Sequence, residues 1–155
     1  MSNGRRIKRA IHIQMNSIKF CNAETLERFQ KIQLVSEHIV KRQAEIDLYN
    51  KEHKVDGSVM ANGRKLTNIG VFSVYLENYL MSNPNINQKM TIMVRQLSPA
   101  ASGLPLEIYA FSIHKDWKVY EGVISDIFDH VIAAASEFDL NIFENPTGTD
   151  FQKLS

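Results

Sequence analysis

Cysteine is almost absent from this chain of 155 residues, since Cys21 is the only one. A single cysteine excludes an internal disulfide framework and a zinc site built from several thiolates. The sequence also lacks an excess of either charge, because its formal net charge is +1 at pH 7. A chain this close to neutrality gives no global indication of binding to nucleic acid or to an acidic membrane surface.

Long hydrophobic runs are missing as well. The longest stretches without a charged residue are 66–76, 78–88 and 96–106, and each contains polar residues, Gly or Pro. A membrane-spanning helix needs about 20 mostly apolar residues. Residues 1–10 are polar and basic and no apolar region follows them, so a secretory signal is not indicated. We expect the chain as given to be soluble.

What is present fits a single globular domain. Hydrophobic residues make up 44% of the chain and charged residues 23%, as in ordinary globular proteins. Residues 7–15 alternate between apolar and polar, which predicts a strand with one buried face. Arg9 interrupts the apolar set and places that end at a rim. The predicted buried side chains are Ile7, Ile11, Ile13 and Met15.

Helical spacing begins after this strand. Asn22 can cap a helix because its side chain can accept a backbone N–H of the first turn. The spacing predicts a helix over 23–50, with a kink near 34–36 where Ser36 can restart it.

A polar insertion separates this helix from the next. Residues 51–66 contain Asp-Gly and Asn-Gly turn signals and predict a surface segment with room for a small hairpin. Thr67 or Asn68 then caps a second helix, which ends at the Asn-Pro pair 83–84.

Two further strands form a predicted hairpin. Residues 90–97 are apolar on both faces near their middle, which favours a central position in the sheet. Residues 104–113 return beside them. Pro105 cannot donate a ladder hydrogen bond, so the start of that strand is expected near an edge or a bulge.

The last helix has the strongest amphipathic pattern, running over 116–138 with Asp116 as its cap. A short strand at 140–143 follows. This order of elements predicts an α+β fold, a ferredoxin-like split βαβ sandwich. One face of its sheet would be covered by the 23–50 and 116–138 helices.

Candidate chemical residues are weighed against plainer roles. Asp126 and His130 lie four residues apart on one helix and are interpreted as a surface pair. Glu107 could be a buried acid with a raised pKa, but pairing with Arg95 across the hairpin is favoured. The histidines, of which none pairs with another at a helical ligand spacing, are His12, His38, His53, His114 and His130.

Three other groups receive structural interpretations. Cys21 could be a reactive thiol near a helix N-terminus, but a semi-buried side chain is favoured. A basic cluster is interpreted as a solvated strand end and consists of Arg5, Arg6, Lys8 and Arg9. Core packing is favoured over a ligand pocket for Trp117, Tyr120, Phe128 and Phe138. We therefore assign no catalytic, cofactor-binding or metal-ligating residue, and expect no cofactor, nucleic acid or small-molecule substrate.

Several segments together resemble the cytoplasmic C-terminal region of bacterial miniconductance mechanosensitive channels, within the small-conductance mechanosensitive channel family. The segments are LTNIGVFSVYLENYL (66–80), NPNI (83–86), MTIMVRQLSP (90–99), GLPLEIYAFS (103–112) and YEGVISDIFDHVIAA (120–134). RRIKRAIHIQMNSIKF (5–20) is similar to the strand at which the family's β-domain passes into its α/β domain.

The resemblance implies a domain organisation and a function. Residues 1–4 would be an added leader or disordered, 5–146 the C-terminal α/β domain with its N-terminal strand from the preceding β-domain, and 147–155 a flexible tail. The domain would form the cytoplasmic vestibule of a tension-gated channel in the bacterial inner membrane. The full-length channel would be a heptamer, whereas the isolated domain would be a monomer or dimer. The missing N-terminal helices would supply the only membrane contact.

Two other classes of function stay open. One is a stand-alone ferredoxin-like regulatory module that binds a small metabolite at a subunit interface, for which an enclosed pocket with converging polar groups would be diagnostic. The other is an enzyme, which would need Asp126, His130 and Glu107 in one cleft.

Overall fold

A computed structural model describes residues 4–144, and within them a three-stranded antiparallel sheet and four α-helices form an α+β fold. The strands lie in the order β1–β3–β2. They are β1 Arg6–Ile13, β2 Met93–Gln96 and β3 Leu104–Phe111. The helices are α1 Ala23–Phe29, α2 Gln33–Glu52, α3 Asn68–Met81 and α4 Trp117–Ala135. The predicted tail 147–155, and all of the predicted leader except Gly4, lie outside the described residues.

The sheet has one apolar face, set by the alternation of β1 and β3. The buried side chains of this inner face are Ile7, Ile11, Ile13, Leu104, Leu106, Ile108 and Ala110. Met15 was expected to extend the set, but it is exposed, because β1 ends at Ile13 and Met15 starts a 3-10 turn. Arg9 interrupts the apolar set of β1 and is exposed, with its guanidinium over the ring of Phe128.

The prediction that 90–97 is a central strand is wrong, because β2 is a short edge strand that pairs with β3 alone. The apolar side chains that suggested two buried faces are only half-buried, and α3 contacts this strand. The central strand is β3, whose apolar run is longer and almost wholly buried.

Pro105 therefore lies in the central strand, contrary to the expectation of an edge or a bulge. The ladder to β2 ends at Leu106, and beyond it the Pro105 carbonyl accepts the Leu97 N–H at 3.0 Å. In β1, the residue paired with Pro105 is His12. The His12 carbonyl accepts the Phe143 N–H and does not need a donor from Pro105. The missing N–H of Pro105 thus interrupts no ladder bond.

The predicted helix over 23–50 is two helices, with a break between α1 and α2. Asn22 caps α1 as predicted, since its Oδ1 accepts the Thr25 N–H at 2.8 Å. The restart comes at α2's first residue, Gln33, rather than at Ser36. In one continuous helix, Phe29 and Val35 would lie about 120° apart around the axis, since each residue turns the helix by about 100°. The break lets both side chains reach the core.

Helix α3 covers the part of the sheet that was expected to lie under the 23–50 helix. Thr67 caps it by accepting the Gly70 N–H at 3.2 Å. One side of α3 contacts β2 and another contacts α2, so α2 forms an outer layer. The buried apolar side chains of α3 are Ile69, Val71, Phe72, Tyr75, Leu76 and Leu80.

Helix α4 begins at the predicted cap, with Asp116 Oδ2 accepting the Val119 N–H at 3.1 Å. Its buried stripe joins the same core as the inner face of the sheet. The stripe consists of Val123, Ile124, Ile127, Phe128, Val131 and Ala135. The segment 140–143, predicted as a strand, forms an isolated antiparallel bridge from Ile142 to Ile13 along the free edge of β1.

The insertion 51–66 continues the end of α2 into a series of turns and is mostly exposed. It contains no paired strands, so the small hairpin considered from its turn signals is not formed. The side chain of Asn50 fixes the end of the insertion at Arg64. Its Nδ2 donates to the Arg64 carbonyl and its Oδ1 accepts the Arg64 N–H.

Candidate functional site

The start of β1 and the start of α4 meet at a cluster of aromatic and basic side chains. The Arg5 guanidinium lies 5.2 Å from the ring centroid of Trp117 and 5.5 Å from that of Tyr120. Arg5 Nε donates to the Lys115 carbonyl at 2.9 Å, and the Tyr120 hydroxyl donates to the Arg6 carbonyl. Cation–π contacts and hydrogen bonds therefore tie the chain entering β1 to α4.

Trp117 was expected in the core, and this expectation is wrong, since 61% of its surface is exposed. It is the first residue of α4, where the Arg5 guanidinium lies over its ring and the Tyr120 ring centroid lies 6.3 Å away. Phe128 and Phe138 are buried as predicted, and Tyr120 is half-buried. Ile113, just before α4, is also exposed. We call Arg5, Ile113, Trp117 and Tyr120 the aromatic–arginine patch.

The outer face of the sheet carries the predicted pair of Arg95 and Glu107. The two residues are directly opposite each other in the register of β2 and β3, and Arg95 Nε lies 2.9 Å from Glu107 Oε1. Glu107 is buried, and its carboxyl group accepts this hydrogen bond from the guanidinium.

Helix α4 carries His130 and lies against the opposite, inner face of the sheet. Glu107 and His130 thus lie on different sides of the sheet. The enzyme constellation that required these residues and Asp126 in one cleft is not formed.

His130 contacts two tyrosines of α3 and no bond joins it to Asp126. Its Nε2 lies 2.6 Å from the Tyr75 hydroxyl, and its ring stacks on Tyr79 at a centroid separation of 4.2 Å. Burial raises the pKa of Tyr75, with the Tyr79 and Glu137 charges as smaller causes. Burial also raises the pKa of Tyr79, and the Asp126 carboxylate adds to the shift. Both tyrosines are therefore neutral at physiological pH, and the cluster joins α3 to α4.

The other histidines are dispersed. His12 is half-buried on the outer sheet face, and His53 stacks on Tyr49 at 4.0 Å at the end of α2. His114 Nε2 lies 3.0 Å from Asn85 Oδ1. Within residues 4–144 no three His, Cys, Asp or Glu side chains come together as a metal site would require.

Cys21 is buried beside the start of α1, and burial raises the pKa of its thiol to about 11. A thiol with this pKa is almost wholly protonated at neutral pH, which is the opposite of what a reactive cysteine needs.

The N-terminal basic cluster divides between two faces of β1. Arg5 and Arg9 cover aromatic rings of α4, whereas Arg6 and Lys8 are exposed on the outer sheet face, opposite Phe111 and Tyr109.

A second basic surface was not anticipated from the sequence. A cleft of about 460 Å³ lies between α2, the insertion and the start of α3. We call it the basic cleft, and its polar and aromatic lining includes Phe20, His38, Arg42, Arg64, Lys65 and Thr67. Burial lowers the pKa of His38, and the nearby charge of Arg42 lowers it further while Glu45 opposes the shift.

Sequence signals for the two surfaces were weak. Trp117 follows a helix cap and could be recognised as a first-turn residue, but helical spacing alone placed it in the apolar stripe. The lining of the basic cleft comes from four separate stretches of the chain, of which only the adjacent pair Arg64-Lys65 is visible as a local feature.

No protein-family model matches this sequence. Among the helices within residues 4–144, none combines the length and the apolar character that crossing a membrane requires.

Proposed function

We propose that this chain is the cytoplasmic vestibule and assembly domain of a bacterial channel that opens under membrane tension and releases solutes during osmotic stress. The domain acts through packing and surface charge. The helices that cross the inner membrane belong to a part of the protein outside this sequence.

The observation that carries the proposal is the position of the resembling segments. The stretches containing MVRQL and GLPLEIYAF supply β2 and β3, which pair as one hairpin. The stretch at 66–80 supplies most of α3, which contacts β2. Segments that are separate in the sequence thus form one continuous part of the fold, as a resemblance based on a shared fold requires.

The finer architecture in this proposal is the ferredoxin-like plan, in which the third strand lies between the first two and the fourth lies beside the first. The antiparallel order β1–β3–β2 supports this plan. The bridge between Ile142 and Ile13 adds support, because it brings one residue of 140–143 to the free edge of β1, beside which this plan has its fourth strand.

The aromatic–arginine patch is the surface that we assign to contacts between copies. Tryptophan, tyrosine and arginine are enriched in protein interfaces and at their energetic hot spots. The full-length protein would be a heptamer. Without the membrane helices and β-domain, the remaining contacts would be too small for a stable ring, so the domain alone would be a monomer or dimer.

The test uses the full-length coding sequence, including whatever precedes Arg5. It is expressed in bacterial spheroplasts without their own tension-gated channels, and currents are recorded from membrane patches under suction. We expect stepwise currents that depend on suction. Trp117→Ala should reduce the heptamer fraction and the current, whereas the exposed neighbour Lys118→Ala should leave both unchanged. Absence of apolar spans upstream of Arg5, or a well-expressed membrane protein without suction-dependent current, would refute the proposal.

A further inference from the structure

The basic cleft concentrates positive charge without a compensating carboxylate in its lining. Arg42, Arg64 and Lys65 all line it. The charge of Arg42 is partly neutralised, because its Nη1 lies 2.9 Å from Glu45 Oε2. The other two cations form no ion pair within residues 4–144.

These two unpaired cations are held in place by other contacts. The Arg64 guanidinium lies over the ring of Tyr49, 4.9 Å from its centroid, and within residues 4–144 Arg64 forms hydrogen bonds through its backbone alone. Lys65 Nζ donates to the Asn62 carbonyl at 3.0 Å, and two of its three N–H groups remain available. Side chains fixed in this way lose little conformational freedom when an anion binds.

The backbone beneath Arg64 is fixed as well. Asn50 brackets the peptide unit of Arg64 with two hydrogen bonds, at 2.9 and 3.0 Å. Gly63, with φ +69°, allows the chain to turn there, since a Cβ at this position would lie 2.4 Å from Asn50 Oδ1. The insertion therefore holds the backbone of Arg64 in a fixed conformation where Arg64 and Lys65 line the cleft.

Apolar side chains also line the cleft. Phe20 is 45% exposed and Val74 is half-buried, whereas Ile46 and Leu66 are almost wholly buried. A ligand with both an anionic group and a less polar body would match this mixed lining.

We propose that the basic cleft binds a small soluble ligand through a phosphate group, with Arg64 and Lys65 as the principal contacts and Phe20 against the rest of the ligand. Arginine and lysine together suit phosphate, since the guanidinium binds two oxygens at once and the ammonium adds a point charge. This inference goes beyond the proposed function and does not depend on it.

The test is titration of the chain with inorganic pyrophosphate, followed by amide NMR shifts and by calorimetry. We expect saturable binding with shifts at 64–70. Arg64→Gln with Lys65→Gln should weaken it at least about tenfold. The matched control is Arg6→Gln with Lys8→Gln, which removes the same charge from the outer sheet face and should leave binding unchanged. If the first double variant loses its thermal transition, the single Lys65→Gln variant takes its place, with an expected weakening of at least about threefold.

Three results would overturn the inference. One is equal weakening in both double variants, which would indicate general charge screening. Another is the absence of saturation up to about 10 mM pyrophosphate, an affinity too weak for a specific site. The third is binding only to phosphatidylcholine vesicles containing phosphatidic acid, with no response to pyrophosphate, which would assign the cleft to a lipid headgroup.

Discussion

Asn68 is the buried polar residue whose removal should destabilise the fold most clearly. It is 0% exposed, and its side chain joins three separate segments. Nδ2 donates to the carbonyls of Ser17 and Phe138 at 2.9 and 3.0 Å, and Oδ1 accepts the Lys19 N–H at 2.9 Å. This one amide therefore ties the start of α3 to the chain after β1 and to the turn after α4.

Asn68→Ala removes all three bonds and leaves two buried carbonyls and the part-buried Lys19 N–H without this partner. Each bond contributes about 1 kcal/mol net, and a buried group left unpaired costs more, so the expected loss is roughly 3–5 kcal/mol. Domains have a total stability of about 5–15 kcal/mol, which makes this a large fraction. The melting temperature should fall by roughly 10 °C for a chain of this size.

Asn68→Asp separates hydrogen bonding from packing, because the side-chain volume is kept while the Nδ2 donor is lost. An ionised Asp would face two carbonyl oxygens, which raises its folded pKa above the unfolded value. A raised carboxyl pKa gives stability at low pH that is lost as the pH rises through that pKa, so this variant should recover stability between about pH 7 and 4.

The measurement is urea unfolding followed by circular dichroism, with Asn16→Ala as the control. Asn16 is exposed, and its substitution should change the unfolding free energy by less than about 0.5 kcal/mol. A loss below about 1 kcal/mol for Asn68→Ala, or an Asp variant that is equally stable at all pH values, would refute the role of this amide as a buried cross-link.

Three other perturbations test further parts of the fold. Phe128→Asp buries an unpaired charge and should abolish cooperative thermal unfolding, whereas Ile132→Asp on the exposed side of the same helix should melt nearly as wild type; equal melting curves would show that the helix face is wrongly assigned. The Cys21 thiol, with a pKa of about 11, should react with iodoacetamide slowly in the folded chain at pH 9 and rapidly in urea, and fast labelling of the folded chain would contradict its burial. Asp139, whose pKa is lowered mainly by its hydrogen bond from Arg28, contributes stability above its unfolded pKa that is lost as the pH falls through the folded pKa. Asp139→Asn suits the left-handed backbone there and should lower the melting temperature slightly at pH 7, and calorimetry should show this difference shrinking as the pH falls through the folded pKa of Asp139.

Local rules predicted the helix starts well. Asn22, Thr67 and Asp116 each accept an N–H of the first turn, because a short polar side chain before an apolar run satisfies donors that the helix leaves open. The alternation in β1 likewise predicted its buried face. These features depend on neighbours within a few residues, so the local sequence is enough to predict them.

Features that depend on distant neighbours were not predictable in the same way. The apolar residues of β2 suggested a central strand, but their burial on one side comes from α3, which the strand's own sequence does not contain. The break before α2 depends on the need of Phe29 and Val35 to reach one core. The pairing of His130 with Tyr75 joins residues on two helices, and no local spacing indicates it.

The two surfaces lie on different elements, and this separates the two proposals experimentally. The aromatic–arginine patch belongs to the starts of β1 and α4, whereas the basic cleft belongs to α2, the insertion and the start of α3. Trp117→Ala should therefore leave pyrophosphate binding unchanged, and the Arg64→Gln, Lys65→Gln variant should leave assembly unchanged. Loss of both properties in either variant would instead mean that the ligand site is completed by a second copy of the chain. Independent losses would place assembly and ligand binding on separate parts of one domain, as their different chemistry requires.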